Sequence, residues 1–282
     1  MNTQEIKQGF VGPDDPRAAL REIEQRARRR FGQNFLTRRD VVTRMVRGSG
    51  VQPGEPVIEI GPGLGMLTRE IVEAGASLMA IEVDRDLANW IRLGWPEVRL
   101  VEADATRVDW LAFVERPGTR VIANLPYNIG TRLVVDLLRF PQLFSSLTVM
   151  LQREVVERLL AEPDSAAYGS LSVYVATRAR GEWLLDVPAS AFHPQPKVDS
   201  AVVHLELRSH PEVGDVAPEH FDRVVRAAFA QRRKTVANSL ATVFPRGAVV
   251  PAIERAGLDP KRRAETLGVD EFQRLAVELA SV

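Results

Sequence analysis

The chain has 282 residues, 45% of them hydrophobic and 26% charged, enough to bury a core in one large domain and a smaller one. It has no cysteine, which excludes disulfides and thiolate metal sites, and its 37 basic and 37 acidic side chains leave no formal net charge. No run approaches the roughly 18 apolar residues of a membrane span, and Met1 to Phe10 lacks the apolar stretch of a secretion signal, so a cytoplasmic location is expected.

The first 27 residues carry no pattern that assigns them a role, although a helical stretch is expected over 17–30. Charge is concentrated here: residues 17–47 hold ten Arg against Glu22, Glu24 and Asp40, a local balance of +7. A second helix is expected over 38–48. A short buried-strand pattern over 56–60 then runs into the turn Gly61-Pro-Gly-Leu-Gly65 and a helical stretch over 64–75. Glycines at such a turn let a ligand approach the backbone at a helix N-terminus. The spacing G-x-G-x-G is not the G-x-G-x-x-G of dinucleotide sites, and alone it is a weak signal.

A strand over 77–82 ends in Glu82, 21 positions after Gly61, where a nucleotide-binding βαβ unit grips ribose hydroxyls. After a helix over 84–93, a strand over 98–101 leads to Asp104, placed to accept from an adenine amino group. Two acids suit a ligand with ribose and adenine and disfavour pyrophosphate. Both are expected to be ionised, since unperturbed carboxyls titrate near pH ~4. Singly, either acid could be a solvated strand-end residue; at successive strand ends they point to a site.

The strand over 119–124 ends in Asn124-Leu-Pro-Tyr127, so a polar amide, two free carbonyls and an aromatic face emerge together. That equipment can hold a flat base by its exocyclic amine. Such an amine shares its lone pair with the ring, and acceptors on its two hydrogens pull it toward the tetrahedral geometry that attacks a methyl donor. Tyr127 would stack on the base, a contact worth roughly 1–3 kcal/mol, while Pro126 restricts the backbone between acceptor and platform.

Helices over 130–139 and 152–162 flank a strand over 147–151. Alternating strands and helices imply a mainly parallel sheet covered on both faces, with ligands outside the carboxyl ends of its strands. Segment 171–177 fits either a strand or a short helix. After Arg208 only helices are expected: Phe221, Val224, Val225, Ala228 and Phe229 form one apolar stripe, followed by stretches over 234–243, 248–256 and 270–280. The polar link His210 to Pro218, with two prolines, marks a domain boundary. Residues 223–263 hold ten Lys or Arg against Glu254 and Asp259, a balance of +8, so the remainder carries −15. Two basic segments on an acidic body would orient a polyanion, whereas an Arg-rich helix face is often only solvated. Arg28, Arg29, Arg30, Arg232, Arg233 and Lys234 are the candidate phosphate contacts. The four His lack metal-ligand spacing and no hydrolase or Walker motif occurs, so no metal is expected. The four Trp are expected to be packing anchors.

Seven motifs stand in order: Phe31-Gly-Gln-Asn-Phe-Leu36, Glu59-Ile-Gly-Pro-Gly-Leu-Gly65, Ile81-Glu-Val-Asp-Arg-Asp86, Asp104-Ala105, Asn124-Leu-Pro-Tyr-Asn128, Phe192-His-Pro-Gln-Pro-Lys-Val-Asp-Ser200 and Gln231-Arg-Arg-Lys-Thr235. On these the chain, from about Arg28 to its C-terminus, resembles the small-subunit ribosomal RNA adenine dimethyltransferases. The resemblance implies a Rossmann-like fold with a mainly parallel seven-stranded sheet closed by strands at 182–187 and 200–207, a helix at 171–177, and a small all-α C-terminal domain. It implies a catalytic domain over 28–208, a helical RNA-contacting domain over 209–282, and S-adenosylmethionine as methyl donor. Asn34, Leu36 and Gly61 would line the donor's methionine side, Glu82 would hold its ribose and Asp104 its adenine amino group, with Gly63, Val83 and Ala105 beside them. Asn124, Leu125, Pro126, Tyr127 and Phe192 would surround the target adenine, Asn124 lying between donor and base. Gly130-Thr-Arg132 stands where the family often has Ser-Thr-Pro.

The implied reaction dimethylates two adjacent adenosines in a hairpin near the 3′ end of small-subunit (16S) rRNA, within a subunit precursor. The protein would act as a monomer and without a membrane. Rival readings are a large-subunit adenine methyltransferase of the macrolide-resistance type, a non-catalytic RNA-binding assembly factor, and a NAD-linked oxidoreductase. The last leaves Tyr127 beside Asn124 unexplained.

Overall fold

The computed structural model describes residues 34–281. The expected helix over 17–30 and Arg28, Arg29 and Arg30 lie outside the described residues. Nine strands are described: β1 (Phe35–Leu36), β2 (Pro56–Ile60), β3 (Ser77–Glu82), β4 (Arg99–Glu102), β5 (Thr119–Asn124), β6 (Phe144–Gln152), β7 (Ala179–Val187), β8 (Phe192–His193) and β9 (Ser200–Leu207). Seven form one sheet in the order β4-β3-β2-β5-β6-β9-β7. The pairings from β4 through β6 are parallel, and β9 runs antiparallel to β6.

Parallel pairing needs a crossover between successive strands, and the helices Met66–Glu73, Arg85–Gly94 and Gly130–Leu137 supply three of them. Their apolar residues meet a sheet whose middle strands are buried on both sides, which is why β2 and β6 read as nearly continuous apolar runs. β6 starts at Phe144, three residues before the expected strand. The reason is Ser146, a buried hydroxyl that accepts from the Arg120 guanidinium at 3.1 Å and so interrupts the apolar pattern without ending the strand.

The described residues fall into two compact units. The first runs to Val156 and resumes over Glu182–Leu207; the second takes Glu157–Gly181 together with everything from Arg208. The change of unit falls after Leu207 rather than after residue 208 and is one of three, because Tyr168 and Val173 belong to the helical core with Phe221, Phe244 and Phe272. The Tyr168 hydroxyl donates to the Leu267 carbonyl at 2.9 Å, fastening the inserted segment into that core. Segment 170–176 is helical, as the resemblance implied. Of the expected stripe, Phe221, Val224, Val225 and Ala228 are buried on the helix Pro218–Phe229 and Phe229 is half-buried against the same core, and the helices Val236–Leu240, Arg246–Arg255 and Val269–Ala280 follow. Among the described residues no helix is long and apolar enough to cross a membrane.

Candidate active site at the carboxyl rim of the sheet

Strand β2 ends at Ile60, and the chain turns through Gly61, Gly63 and Gly65, all at positive φ. Gly65 is obligatory twice over: its φ is +86°, and a Cβ there would lie 2.2 Å from the Trp95 ring. Trp90 on the helix Arg85–Gly94 and Trp95 just after it brace the turn, Trp90 by donating its indole N–H to the Leu64 carbonyl at 3.0 Å. The turn therefore holds its backbone open toward the cleft while being packed solidly from behind.

Glu82 closes β3 next door and is almost fully buried. Its Oε1 accepts from the backbone N–H of Val83 at 2.8 Å and of Asp84 at 2.9 Å, and its Oε2 accepts from Gly63 at 3.3 Å. Burial pushes its pKa up while these three donors pull it down, so Glu82 departs from the unperturbed carboxylate assumed from sequence. Asp104, beyond β4, behaves oppositely. It is exposed, and its Oδ1 accepts from the Thr106 hydroxyl at 2.7 Å and amide at 2.9 Å, which lowers its pKa and keeps it charged.

At the end of β5, Asn124 donates its Nδ2 hydrogen to the Asn34 carbonyl at 3.5 Å, a long bond. The expectation of two free carbonyls after it is corrected. The Pro126 oxygen already accepts from the amides of Ile129 at 3.1 Å and Gly130 at 2.9 Å, starting the helix Gly130–Leu137. The Leu125 oxygen is not engaged in these bonds. Tyr127 is half-buried, and its hydroxyl pairs with Ser200 Oγ of β9 at 2.6 Å. Gly130 has a packing cause too: a Cβ would sit 2.5 Å from Leu151 Cδ2.

Two motifs far apart in sequence meet in a small ladder the sequence did not announce. Strand β1 pairs antiparallel with β8, setting Leu36 opposite Phe192 and Phe35 opposite His193. Thr37 reinforces it, donating both N–H and hydroxyl to the Ala191 carbonyl at 2.7 and 2.8 Å. Phe192 is 4% exposed, so it forms a wall of the cleft rather than a free platform.

One cleft is lined by every predicted donor and base residue: Asn34, Leu36, Gly61, Gly63, Glu82, Val83, Asp104, Ala105, Asn124, Leu125, Pro126, Tyr127 and Phe192. It also holds a residue to which the sequence reading gave no role. Glu59, on β2, is 1% exposed, accepts from the Thr68 hydroxyl at 2.7 Å, and lines the same cleft. Burial, with the nearby Glu82 charge, pushes it up to about 8. An acid inside an apolar strand run was the available signal. Arg232, Arg233 and Lys234 are exposed in the helical unit, where Arg232 also donates to the Ala166 carbonyl at 2.8 Å.

Comparison with known proteins places this arrangement. Residues 24–281 match the family described as ribosomal RNA adenine dimethylase. The ribosomal RNA small subunit methyltransferase A of Thiobacillus denitrificans is 45% identical over 257 residues, covering 90% of this chain and 98% of that protein. Among solved structures, the 23S rRNA methyltransferase ErmE is 27% identical with a TM-score of 0.66, covering 88% of this chain and 100% of its own. A dimethyladenosine transferase from Plasmodium falciparum has a TM-score of 0.75 at 23% identity, covering 88% and 98%, a likeness of fold. With the family match spanning nearly the whole chain and agreeing with the residues gathered at the sheet's rim, the chain belongs to the ribosomal RNA adenine dimethylase family.

Proposed function

We propose that the protein dimethylates the exocyclic amines of two adjacent adenosines in a hairpin near the 3′ end of small-subunit (16S) rRNA, acting in the cytoplasm as a monomer on a subunit precursor. The observation that carries this reading is the single cleft in which a ribose-binding acid, a glycine turn and the Asn124-Leu-Pro-Tyr127 segment meet. S-adenosylmethionine fits the lining: buried Glu82 suits ribose hydroxyls, charged Asp104 suits an adenine amino group, and the turn at Gly61 and Gly63 leaves the backbone approachable. When bound, the donor supplies an electrophilic methyl group.

The chain's own residues then position the base. Asn124 Oδ1 and Leu125 O accept the two amine hydrogens, and this pull strengthens as the nitrogen becomes tetrahedral, so it favours the transition state over the ground state. Tyr127 supplies the stacking face for an adenine drawn out of its helix. The amine's proton leaves to water after attack, and no side chain is required as a base. In-line approach in a closed cleft makes positioning the main source of rate. Arg232, Arg233, Lys234 and Arg28 to Arg30 serve the phosphate backbone.

A large-subunit substrate is the second reading, favoured by the likeness to ErmE. Labelled S-adenosylmethionine, incubated with the protein and under-methylated small or large subunits, distinguishes the two once modified nucleotides are mapped. Label on adjacent adenosines of the small subunit supports the proposal. Label only on the large subunit replaces it with the second reading, and binding without methyl transfer to either replaces it with an assembly factor.

A further inference from the structure

Two buried carboxylates stand at the base of the cleft, and they are not equally provided for. Glu82 accepts from three backbone N–H groups. Glu59 is served by Thr68 alone, whose hydroxyl donates to Oε2 and whose backbone N–H adds a weaker pull; its Oε1 is buried and has no hydrogen-bond partner among the described residues. A buried oxygen in that position is destabilised as an anion, because no donor of the protein replaces its solvation. The charged groups around it offer no relief. β3 presents Glu82, another acid; on the helix Met66–Glu73, Thr68 is neutral and Arg69 lies 4.0 Å from Glu70, which also binds Arg39 at 2.6 Å. If one of the two carboxyls carries a proton, the hydrogen-bond inventory assigns it to Glu59.

We propose that Glu59 makes the cleft select the charged methyl donor over its spent product, by holding a proton in the free protein and releasing it when a net cationic ligand binds. The inference rests on the reading of the cleft as an S-adenosylmethionine site. That donor carries a sulfonium and an ammonium against one carboxylate, a net charge of +1, whereas S-adenosylhomocysteine is neutral overall. A cation entering this cleft favours an ionised Glu59. The carboxyl O–H bond breaks, its electron pair stays on the carboxylate, and the proton passes to the buffer. The product lacks the sulfonium charge, so it induces less ionisation and leaves more readily. Burial places the Glu59 titration at about 8, which leaves the group mostly protonated at neutral pH and able to respond.

The test is calorimetry of ligand binding to the full chain at pH 7 in two buffers of different ionisation enthalpy. The expected result is close to one proton released per S-adenosylmethionine bound and clearly less per S-adenosylhomocysteine. The donor-to-product affinity ratio should rise with pH between about 6 and 8, by at most tenfold per unit. Glu59→Gln, a neutral isostere, should still bind donor but lose the proton release and flatten the ratio, while Glu59→Asp should keep both. Donor binding to the parent without proton release overturns the proposal and leaves the donor reading standing. Release that persists in Glu59→Gln overturns the assignment to this residue. No donor binding at any pH overturns the donor reading and the proposal with it.

Discussion

Several polar side chains lining the cleft are held by neighbouring groups, and those supports decide what a substitution does. Glu82→Ala removes a carboxylate that three N–H groups organise, and it should weaken S-adenosylmethionine binding by about 1–3 kcal/mol. Unchanged donor affinity in the folded variant, measured by calorimetry, would remove Glu82 from the site. Tyr127→Phe keeps the stacking ring but leaves the fully buried Ser200 without its hydroxyl partner. Its expected cost is about 0.5–1.5 kcal/mol of stability with most of the single-turnover rate retained, whereas Tyr127→Ala should lose base capture as well. A Tyr127→Phe rate as low as that of Tyr127→Ala would show that the hydroxyl, not the ring, matters. Glu59 also predicts a pH effect on the ligand-free protein. Its folded pKa of about 8 lies above its reference value of 4.5, so the folded state binds the extra proton between these values. Stability from this group is therefore full at low pH and declines as pH rises from about 4.5 to about 8. Denaturant melts of Glu59→Gln should show a shallower decline over that range than the parent, and an identical slope would assign the decline to other groups.

Elements built on long apolar periods were legible from sequence, and elements built on single contacts were not. β2, β3 and β5 have the expected bounds because nearly every residue of those strands is buried or half-buried against a packed layer. The residues of the cleft were likewise legible, because short motifs at strand ends name the rim directly. The ladder of β1 with β8 was invisible: two residues a side have no periodicity, and their pairing spans more than 150 positions. Glu59 was read as part of a strand and a motif, since sequence carries no sign that one of its oxygens would be left without a donor. The Pro126 carbonyl was misjudged for a related reason, because the helix that starts at Gly130, four residues on, consumes it. The glycine turn yields a prediction of its own. Gly65→Ala forces a side chain into the Trp95 ring at an unfavourable φ, and should destabilise the protein by more than about 2 kcal/mol. A melting temperature within a degree of the parent would show that Trp95 can move aside.

Charge in this molecule both holds the fold together and faces outward, and the helical unit shows both uses. Arg178 is 5% exposed, binds both oxygens of Asp222 at 3.0 and 2.9 Å, and lies over the Tyr174 ring at 3.8 Å. Asp222→Ala strands that buried cation and should cost about 3–5 kcal/mol, readable as a lower denaturation midpoint; a loss below about 1 kcal/mol would mean that water reaches Arg178. Arg233→Glu with Lys234→Glu tests the outward charge with Arg232 left to its Ala166 contact. That pair should weaken rRNA binding and flatten its salt dependence, with donor affinity unchanged. Equal salt slopes would return these side chains to a solvated face. The insertion of Glu157–Gly181 into the helical unit constrains how this chain can be divided. Cutting after Leu207 yields a C-terminal fragment lacking Tyr168 and Val173, and an N-terminal fragment that keeps both as an exposed apolar strip. The halves are not modular cassettes. A chimaera that exchanges only the tail between relatives inherits a mismatched core, and one that respects the fold must splice at three points in the chain.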